Sequence, residues 1–405
     1  MSTAMSLDNL KSIASADVRG KRVLVRADLN VPMAGSEVSD ATRIERFIPT
    51  VRDLASRGAK VVILSHLGRP KGKHEPKYSL RPVAAKLASS MPGTTVVFGE
   101  DCIGPQAEAA VAQLQPGQVA FLENLRFHEE EEKNEPGFVA ALAKLGDIYV
   151  NDGFSVSHRA HASTEGVARL LPAYAGPSMM AEVNALKAAL DRPERPVAAV
   201  IGGSKISTKI DVLVNLVKKM DYLIVGGGMA NTFLHAKGIG VGKSLCEPGL
   251  TETVGAILSQ AAESGCRIVL PSDAVVATEF KVHAATQTVP VSNVPEDAMI
   301  LDAGPRSVEE FTRCLEQCKT VLWNGPIGAF ETEPFGEGTF KLAREAARLT
   351  EEGKLSTIAG GGDTVAALNA AGVTDKFTYV STAGGAFLEW LEGRTLPGVA
   401  VLARP

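Results

Sequence analysis

Short apolar runs recur along the chain, each closed by a turn or polar residue. They are KRVLVR, AKVVILS, TTVVF, QVAFLEN and GDIYVND in the first half, then PVAAVIGG, DYLIVGGG, CRIVLPSD, TVLWNGP, STIAGGG and FTYVSTAGG. A run such as Val61, Val62, Ile63 and Leu64 is apolar at every position, as strands of a parallel sheet covered on both faces are. Between the runs lie helix-like segments. The clearest is LPAYAGPSMMAEVNALKAAL, residues 171 to 190, which opens on Pro and Gly and continues with Met180, Val183, Leu186 and Leu190 at helical spacing. Strand and helix in alternation, with short turns, predict an α/β protein. At 405 residues the chain is too long for one ordinary core. The expected architecture is two doubly wound parallel-sheet (Rossmann-like) domains, over 1–172 and 191–390, joined by a hinge and linker helix over 173–190.

The ends of these runs carry the chemistry. ADLN, SHLGRP, ENLRFH, NDGFS, GGSK, GGG, WNGP, GGGDT and STAGGA place small and polar residues where strands empty into loops. Open α/β sheets bind ligands there, because the backbone must approach closely and donate N–H groups. Glycine in tight turns would explain one or two of these sites but not all of them.

Composition narrows the class. The chain is 45% apolar and 22% charged, with a formal net charge of -4, so no general affinity for nucleic acid or membrane is indicated. No segment approaches the roughly 18 apolar residues of a membrane span, and MSTAMSLDNLKSI has neither a basic start nor an apolar stretch of leader length. The five cysteines (Cys102, Cys246, Cys266, Cys314, Cys318) include no CxxC spacing and read as reduced thiols of a cytoplasmic protein. Cys314 and Cys318, four apart on a predicted helix, lack two further ligands for a metal.

In the first half the strand ends hold Asp28, Asn30, His66, Arg69, Arg126 and the pair His158-Arg159, and Arg43 lies where a helix should open. A lone Arg is usually a solvated surface residue. Several converging would make a pocket for a small, multiply charged anion, since guanidinium grips phosphate or carboxylate in two-pronged fashion. Asp28 and Asn30 read either as ligands for hydroxyls or, for Asp28, as a structural acid beside Arg26. The second half has the glycine-rich turns of a nucleotide site: GGSKISTK, GGGMANT, WNGPIGAFE and GGGDTVAAL. The last would aim backbone N–H groups at a phosphate chain, with Asp363 placed to hold Mg2+. GIGVGKS is not a P-loop, because Lys237 stands where its first Gly is required and no apolar strand precedes it. The dinucleotide fingerprint GxGxxG is also missing, which disfavours a dehydrogenase.

VRADLNVP, SHLGRPKG, FLENLRFHEEE, HRAHAST, GGSKISTKI, GGGMANTFL, LDAGP, WNGPIGAFE, GGGDT and STAGGAFLEWLEG occur in an order and approximate spacing that resembles the phosphoglycerate kinase family over essentially the whole chain. The resemblance implies a monomeric, hinge-bending glycolytic kinase that moves a phosphoryl group between 1,3-bisphosphoglycerate and Mg-ADP. It also implies that the segment 391–405 packs back on the first domain. By the same resemblance 3-phosphoglycerate is held by Asp28, Asn30, Arg43, His66, Arg69, Arg126 and Arg159. Gly203, Gly227, Leu301 and Pro326 match positions lining the adenine and ribose pocket, with Glu331 at the ribose. Lys205, Lys209, Asn324, Gly360, Gly361, Gly362, Asp363 and Thr364 match positions around the phosphates and Mg2+. Arg43, Lys205, Gly361 and Gly384 are the catalytic candidates. Two departures stand out: Ala383 replaces the first glycine of the family's C-terminal motif, and Phe387 replaces its serine. A non-catalytic nucleotide-binding relative is the alternative reading.

Overall fold

The run KRVLVR forms β1 (Arg22–Arg26), and residues 33–38 fold into a small antiparallel hairpin, β2 (Met33–Ala34) and β3 (Glu37–Val38). The computed structural model describes residues 9–403; most of the N-terminal stretch read for a leader, and the last two residues of 391–405, lie outside them. The other first-half runs become β4 (Lys60–Leu64), β5 (Val96–Gly99), β6 (Val119–Leu122) and β7 (Ile148–Asn151), followed by β8 (Ala173–Ala175). Six of these pair in parallel in the order β5-β6-β4-β1-β7-β8. Val61 to Leu64 are fully buried, as their unbroken apolar run requires. The chain winds from β1 to one side through β4, β5 and β6, then returns to the other side with β7. The strand order therefore reverses beside β1, the place where such sheets open a crevice at their carboxyl ends.

The second half repeats the plan. β9 (Val197–Ile201), β10 (Tyr222–Val225), β11 (Arg267–Val269), β15 (Thr320–Asn324), β16 (Ser356–Gly360) and β17 (Tyr379–Ser381) make a parallel sheet ordered β11-β10-β9-β15-β16-β17, which reverses between β9 and β15. Three strands absent from the run pattern, β12 (Asp273–Ala277), β13 (Gln287–Pro290) and β14 (Met299–Ala303), form a separate antiparallel sheet ordered β13-β12-β14. The two parallel sheets have the architecture expected from the runs.

The chain divides into two compact units: one reaches Val183 and resumes at Thr395, the other is Asn184–Arg394. In the stretch read as a linker, residues 173–175 are instead the edge strand β8, bonded to β7 in register Tyr149↔Ala173. The helix Pro177–Leu190 follows directly. Its first turn is capped by Asp152, at the end of β7, whose Oδ1 accepts the N–H groups of Ser178 (2.7 Å) and Met179 (3.2 Å). Where the chain returns to the first unit, Gly398 accepts a 3.1 Å bond from Asn151 Nδ2 and donates one of 2.9 Å to Ser157 O.

Candidate active site

The first unit gathers its candidates beyond the ends of β1, β4, β6 and β7. Asp28 Oδ2 accepts from Arg43 Nη1 at 2.5 Å and from the Ser155 hydroxyl, and Asn30 Oδ1 accepts from Gly68 N at 2.8 Å. Asp28 therefore pairs with Arg43, and the reading of it as a partner of Arg26 is corrected. Arg43 is the second residue of the helix Thr42–Ser56, whose positive end faces the same way as its charge and adds to the field. With Asn30, Val31, Pro32 and Asp40 it lines a cleft of about 480 Å3. Gly68 adopts φ +63°, and a Cβ there would run into the Tyr78 ring. Its N–H serves Asn30 while its carbonyl accepts 2.9 Å from Arg126 Nη1, so one turn ties two candidates together.

Charge is concentrated here. Burial, then the Arg26 charge, pushes the Arg126 guanidinium down to about 10; its buried Nε makes no hydrogen bond and is ion-paired with the Glu132 carboxylate at 3.4 Å. His66 is 4% exposed and held neutral far below the usual histidine range, by burial first and then by Arg26, Arg126, Arg43 and His161. Arg159 adds to the positive field on Arg126, and its Nε donates to His158 Nε2 at 3.2 Å. Arg69 stands apart as an exposed side chain on the Gly68 turn. Arg26, Arg43, Arg126 and Arg159 act together on one pocket, and their combined positive field suits a small, multiply charged anion. Arg26 was not among the candidates, although it is the group bonded to His66 Nδ1, at 3.2 Å.

The second unit builds its site where β9 and β15 diverge. Gly202 N donates to Asn324 O at 3.1 Å, and the Lys209 ammonium donates to both carbonyls, Gly202 O at 2.7 Å and Asn324 O at 3.2 Å. Burial pushes Lys209 down to about 8, with Asp363 acting against the shift. A cavity of about 390 Å3 opens beside this turn, and Gly203, Gly227, Leu301, Pro326, Glu331 and Asp363 all line it. Its wall is otherwise largely apolar, including Leu234, Met299 and Ile327, which suits a flat heteroaromatic ring. Gly227 has φ +66° and its N–H donates to Ile327 O at 3.0 Å; a Cβ would sit 2.7 Å from Gly203 O.

The turn after β16 closes the floor. Gly361, at φ +99°, caps the helix Gly362–Ala371 without a side-chain cap bond, leaving first-turn N–H groups for an anion. Thr364 Oγ1 donates to Gly360 O (2.8 Å) and accepts from Gly325 N (2.7 Å), while Asn324 Nδ2 donates to Gly360 O (2.7 Å). The Thr364 hydroxyl and Asn324 Nδ2 are thus spent on the backbone of the turns, while Asn324 Oδ1 is buried without a hydrogen bond, and neither side chain lines the cavity. Lys205 is exposed; the nearby Glu247 carboxyl is held low by the hydroxyl and N–H of Ser207 first, with the Lys205 charge adding a little. Gly384, at φ +53°, caps the helix Gly385–Leu391. The departing residue Phe387 is fully buried with its ring against Gly360, where a Cβ would come within 2.7 Å. GIGVGKS runs through the loop after the helix Gly227–Ala236, with no strand before it.

Asp363 is exposed in the first helical turn and lines the cavity, and among the described residues its carboxylate makes no hydrogen bond or ion pair. A hard oxygen donor beside a phosphate-receptive helix start fits Mg2+, which usually takes one or two carboxylates plus phosphate oxygens. All five cysteines are free, and no described helix is long and apolar enough to cross a membrane.

The family described as phosphoglycerate kinase matches residues 13–394. A protein of Methylorubrum extorquens (strain PA1) named phosphoglycerate kinase is 59% identical over 385 residues, covering 95% of this chain and 96% of the relative. One of Rhizorhabdus wittichii with the same name is 61% identical over 386 residues, covering 95% and 97%. Among solved structures, phosphoglycerate kinase from Coxiella burnetii superposes with a TM-score of 0.91 at 42% identity, covering 97% of this chain and 98% of that one. With a family match over nearly its whole length and relatives near 60% identity, the chain belongs to the phosphoglycerate kinase family.

Proposed function

We propose that the chain transfers a phosphoryl group between a nucleotide on the second unit and the carboxylate of 3-phosphoglycerate on the first, in glycolysis and its reversal. The observation that carries the acceptor half is the convergence of Arg26, Arg43, Arg126 and Arg159 on one pocket of the first unit. In the ATP-consuming direction the acceptor carboxylate is already ionised at neutral pH, so no general base is needed. Its oxygen attacks the terminal phosphorus, the bond to the bridging oxygen breaks, and the electron pair leaves on ADP. Catalysis then rests on alignment and charge neutralisation.

Asp28, Asn30, His66, Arg69, Arg126 and Arg159 hold the acceptor. Gly203, Gly227, Leu301, Pro326 and Glu331 hold base and ribose. Lys209 and the N–H groups at Gly360 to Thr364 hold phosphates, while Asn324 and the Thr364 hydroxyl keep those turns in shape. Asp363 would hold Mg2+, which when bound neutralises phosphate charge. Arg43 and Lys205 supply the charges at the transferring group. Gly361 and Gly384 let their helices start close to it. Ligands on separate units require the units to approach and exclude water, which would otherwise hydrolyse the acyl phosphate. We place the enzyme in the cytoplasm, as a monomer.

The test is ADP formation from Mg-ATP with 3-phosphoglycerate as acceptor, coupled to removal of the acyl phosphate, beside small-angle scattering. Turnover should require both acceptor and Mg2+, with compaction only when both substrates are present. Tight ATP binding without turnover would turn the reading toward a non-catalytic relative.

Lys209 adds a pH signature. Its ammonium is disfavoured in the free enzyme, so apo stability should rise as pH climbs from about 8 toward the ordinary lysine range, where the unfolded chain binds the extra proton. Nucleotide phosphate restores the ammonium, so binding at pH 8 should take up a fraction of a proton, and binding at about pH 6.5 almost none. Titration calorimetry in buffers of different ionisation enthalpy reads this directly. Equal uptake at both pH values would remove Lys209 from the phosphate site.

A further inference from the structure

We propose that Arg26 is a positioning residue that locks His66 in the tautomer protonated at Nε2, and that Ser163 and Glu131 hold Arg26 in the orientation this needs. The proposal deepens the acceptor-site reading above and rests on it.

The polarity of the chain of bonds follows from what each group can do. A guanidinium has only donors. Where Arg26 Nη2 meets His66 Nδ1 at 3.2 Å, that nitrogen must therefore accept, and the ring proton sits on Nε2. Nε2 has no hydrogen-bond partner among the described residues and is not sealed from solvent. A ring buried on every other side thus presents one neutral N–H outward. A second positive charge on it is opposed by Arg26, Arg126, Arg43 and His161, so the ring serves the anion as a directed dipole.

Arg26 itself is fully buried, and its hydrogen bonds fix its rotation. Nε donates to Ser163 Oγ at 2.8 Å, and Nη1 donates to the Ala27 carbonyl. Since Ser163 Oγ accepts from Arg26, its own proton goes to Glu131 Oε1, at 2.5 Å, while Ser163 N donates to Oε2 at 2.9 Å. Glu131 is 1% exposed; burial pushes its carboxyl up, while the Arg26 charge and the two bonds from Ser163 favour the carboxylate that accepts them and balances the buried cation. From Glu131 to His66 Nε2 each proton has one place to be. Nothing in the chain touches the substrate except its last atom.

Long-range proton–nitrogen correlation on the full chain labelled with 15N-histidine tests this without any activity assay. His66 is expected to show a pyridine-type Nδ1 and a pyrrole-type Nε2 in the free protein, with Nε2 moving on addition of 3-phosphoglycerate. Ser163→Ala, which removes the acceptor of Arg26 Nε, should populate the other tautomer and raise KM for 3-phosphoglycerate about tenfold with kcat little changed. Ser163→Thr, which keeps the hydroxyl, should restore both. A His66 protonated at Nδ1 in an enzyme that still turns over overturns the lock, as does a raised KM in Ser163→Ala with the tautomer unchanged. If Ser163→Ala does not fold, the wild-type spectrum alone still decides. An Nε2 resonance indifferent to 3-phosphoglycerate overturns instead the acceptor assignment of the pocket.

Discussion

Arg43→Ala is expected to lower turnover by roughly 10³-fold or more while the fold survives, the loss seen when an arginine that stabilises a transferring phosphoryl group is removed. The side chain is 37% exposed and its ion-pair partner is Asp28. Asp28 keeps the Ser155 hydroxyl and the Asn30 N–H after the change, so no buried carboxylate is orphaned. Exposed ion pairs contribute about 0–1 kcal/mol, so the unfolding midpoint should barely move. A large kinetic loss on an intact fold separates transition-state stabilisation from scaffolding. Arg43→Lys keeps the charge but not the fork and should fall between, because a point charge cannot hold two oxygens in a plane. A loss below about tenfold, under about 1.4 kcal/mol, would take Arg43 out of that role. The measurement is kcat in the coupled assay beside a thermal unfolding curve.

The strands of both parallel sheets stood out because burial on two faces demands unbroken apolar runs such as Val61 to Leu64. The two outer strands of the antiparallel sheet did not, because Gln287–Pro290 and Met299–Ala303 are largely half-buried or exposed and carry no such run. Ala173–Ala175 was hidden by its length, three residues between a Pro and a Gly turn. At the site, residues on strand ends announced themselves by type and position. Their support did not. Glu131 lies in the run EEEE, which reads as a solvated helix face, yet it alone of the four is buried. Arg26 ends KRVLVR and looks like a charged flank, although it is fully buried. Charge inside the fold is set by partners distant in sequence, here 137 residues away at Ser163, and periodicity carries no record of them.

Gly202→Ala should be among the most damaging single changes in the second unit, with a cost above about 4 kcal/mol. The site depends on two chain segments passing closer than side chains allow. A Cβ on Gly202 would land on the Pro326 carbonyl and lie 3.0 Å from Gly325 O, and all of these are backbone atoms that no rotamer change can clear. Relief would require the ends of β9 and β15 to part, which breaks the Gly202 N to Asn324 O bond and the carbonyl pair that seats the Lys209 ammonium. Stability and nucleotide affinity should therefore fall together, with the unfolding midpoint dropping by roughly 10 °C. Gly255→Ala is the control. It lies in the helix Thr251–Ser264 with nothing within 4 Å of its Cβ, and should stabilise by about 0.5–1 kcal/mol through helix propensity. Calorimetric unfolding of both variants, with and without nucleotide, gives the comparison. A Gly202→Ala midpoint within about 2 °C of wild type would mean that the two strand ends can separate at little cost, and that close backbone approach is not what shapes the phosphate site.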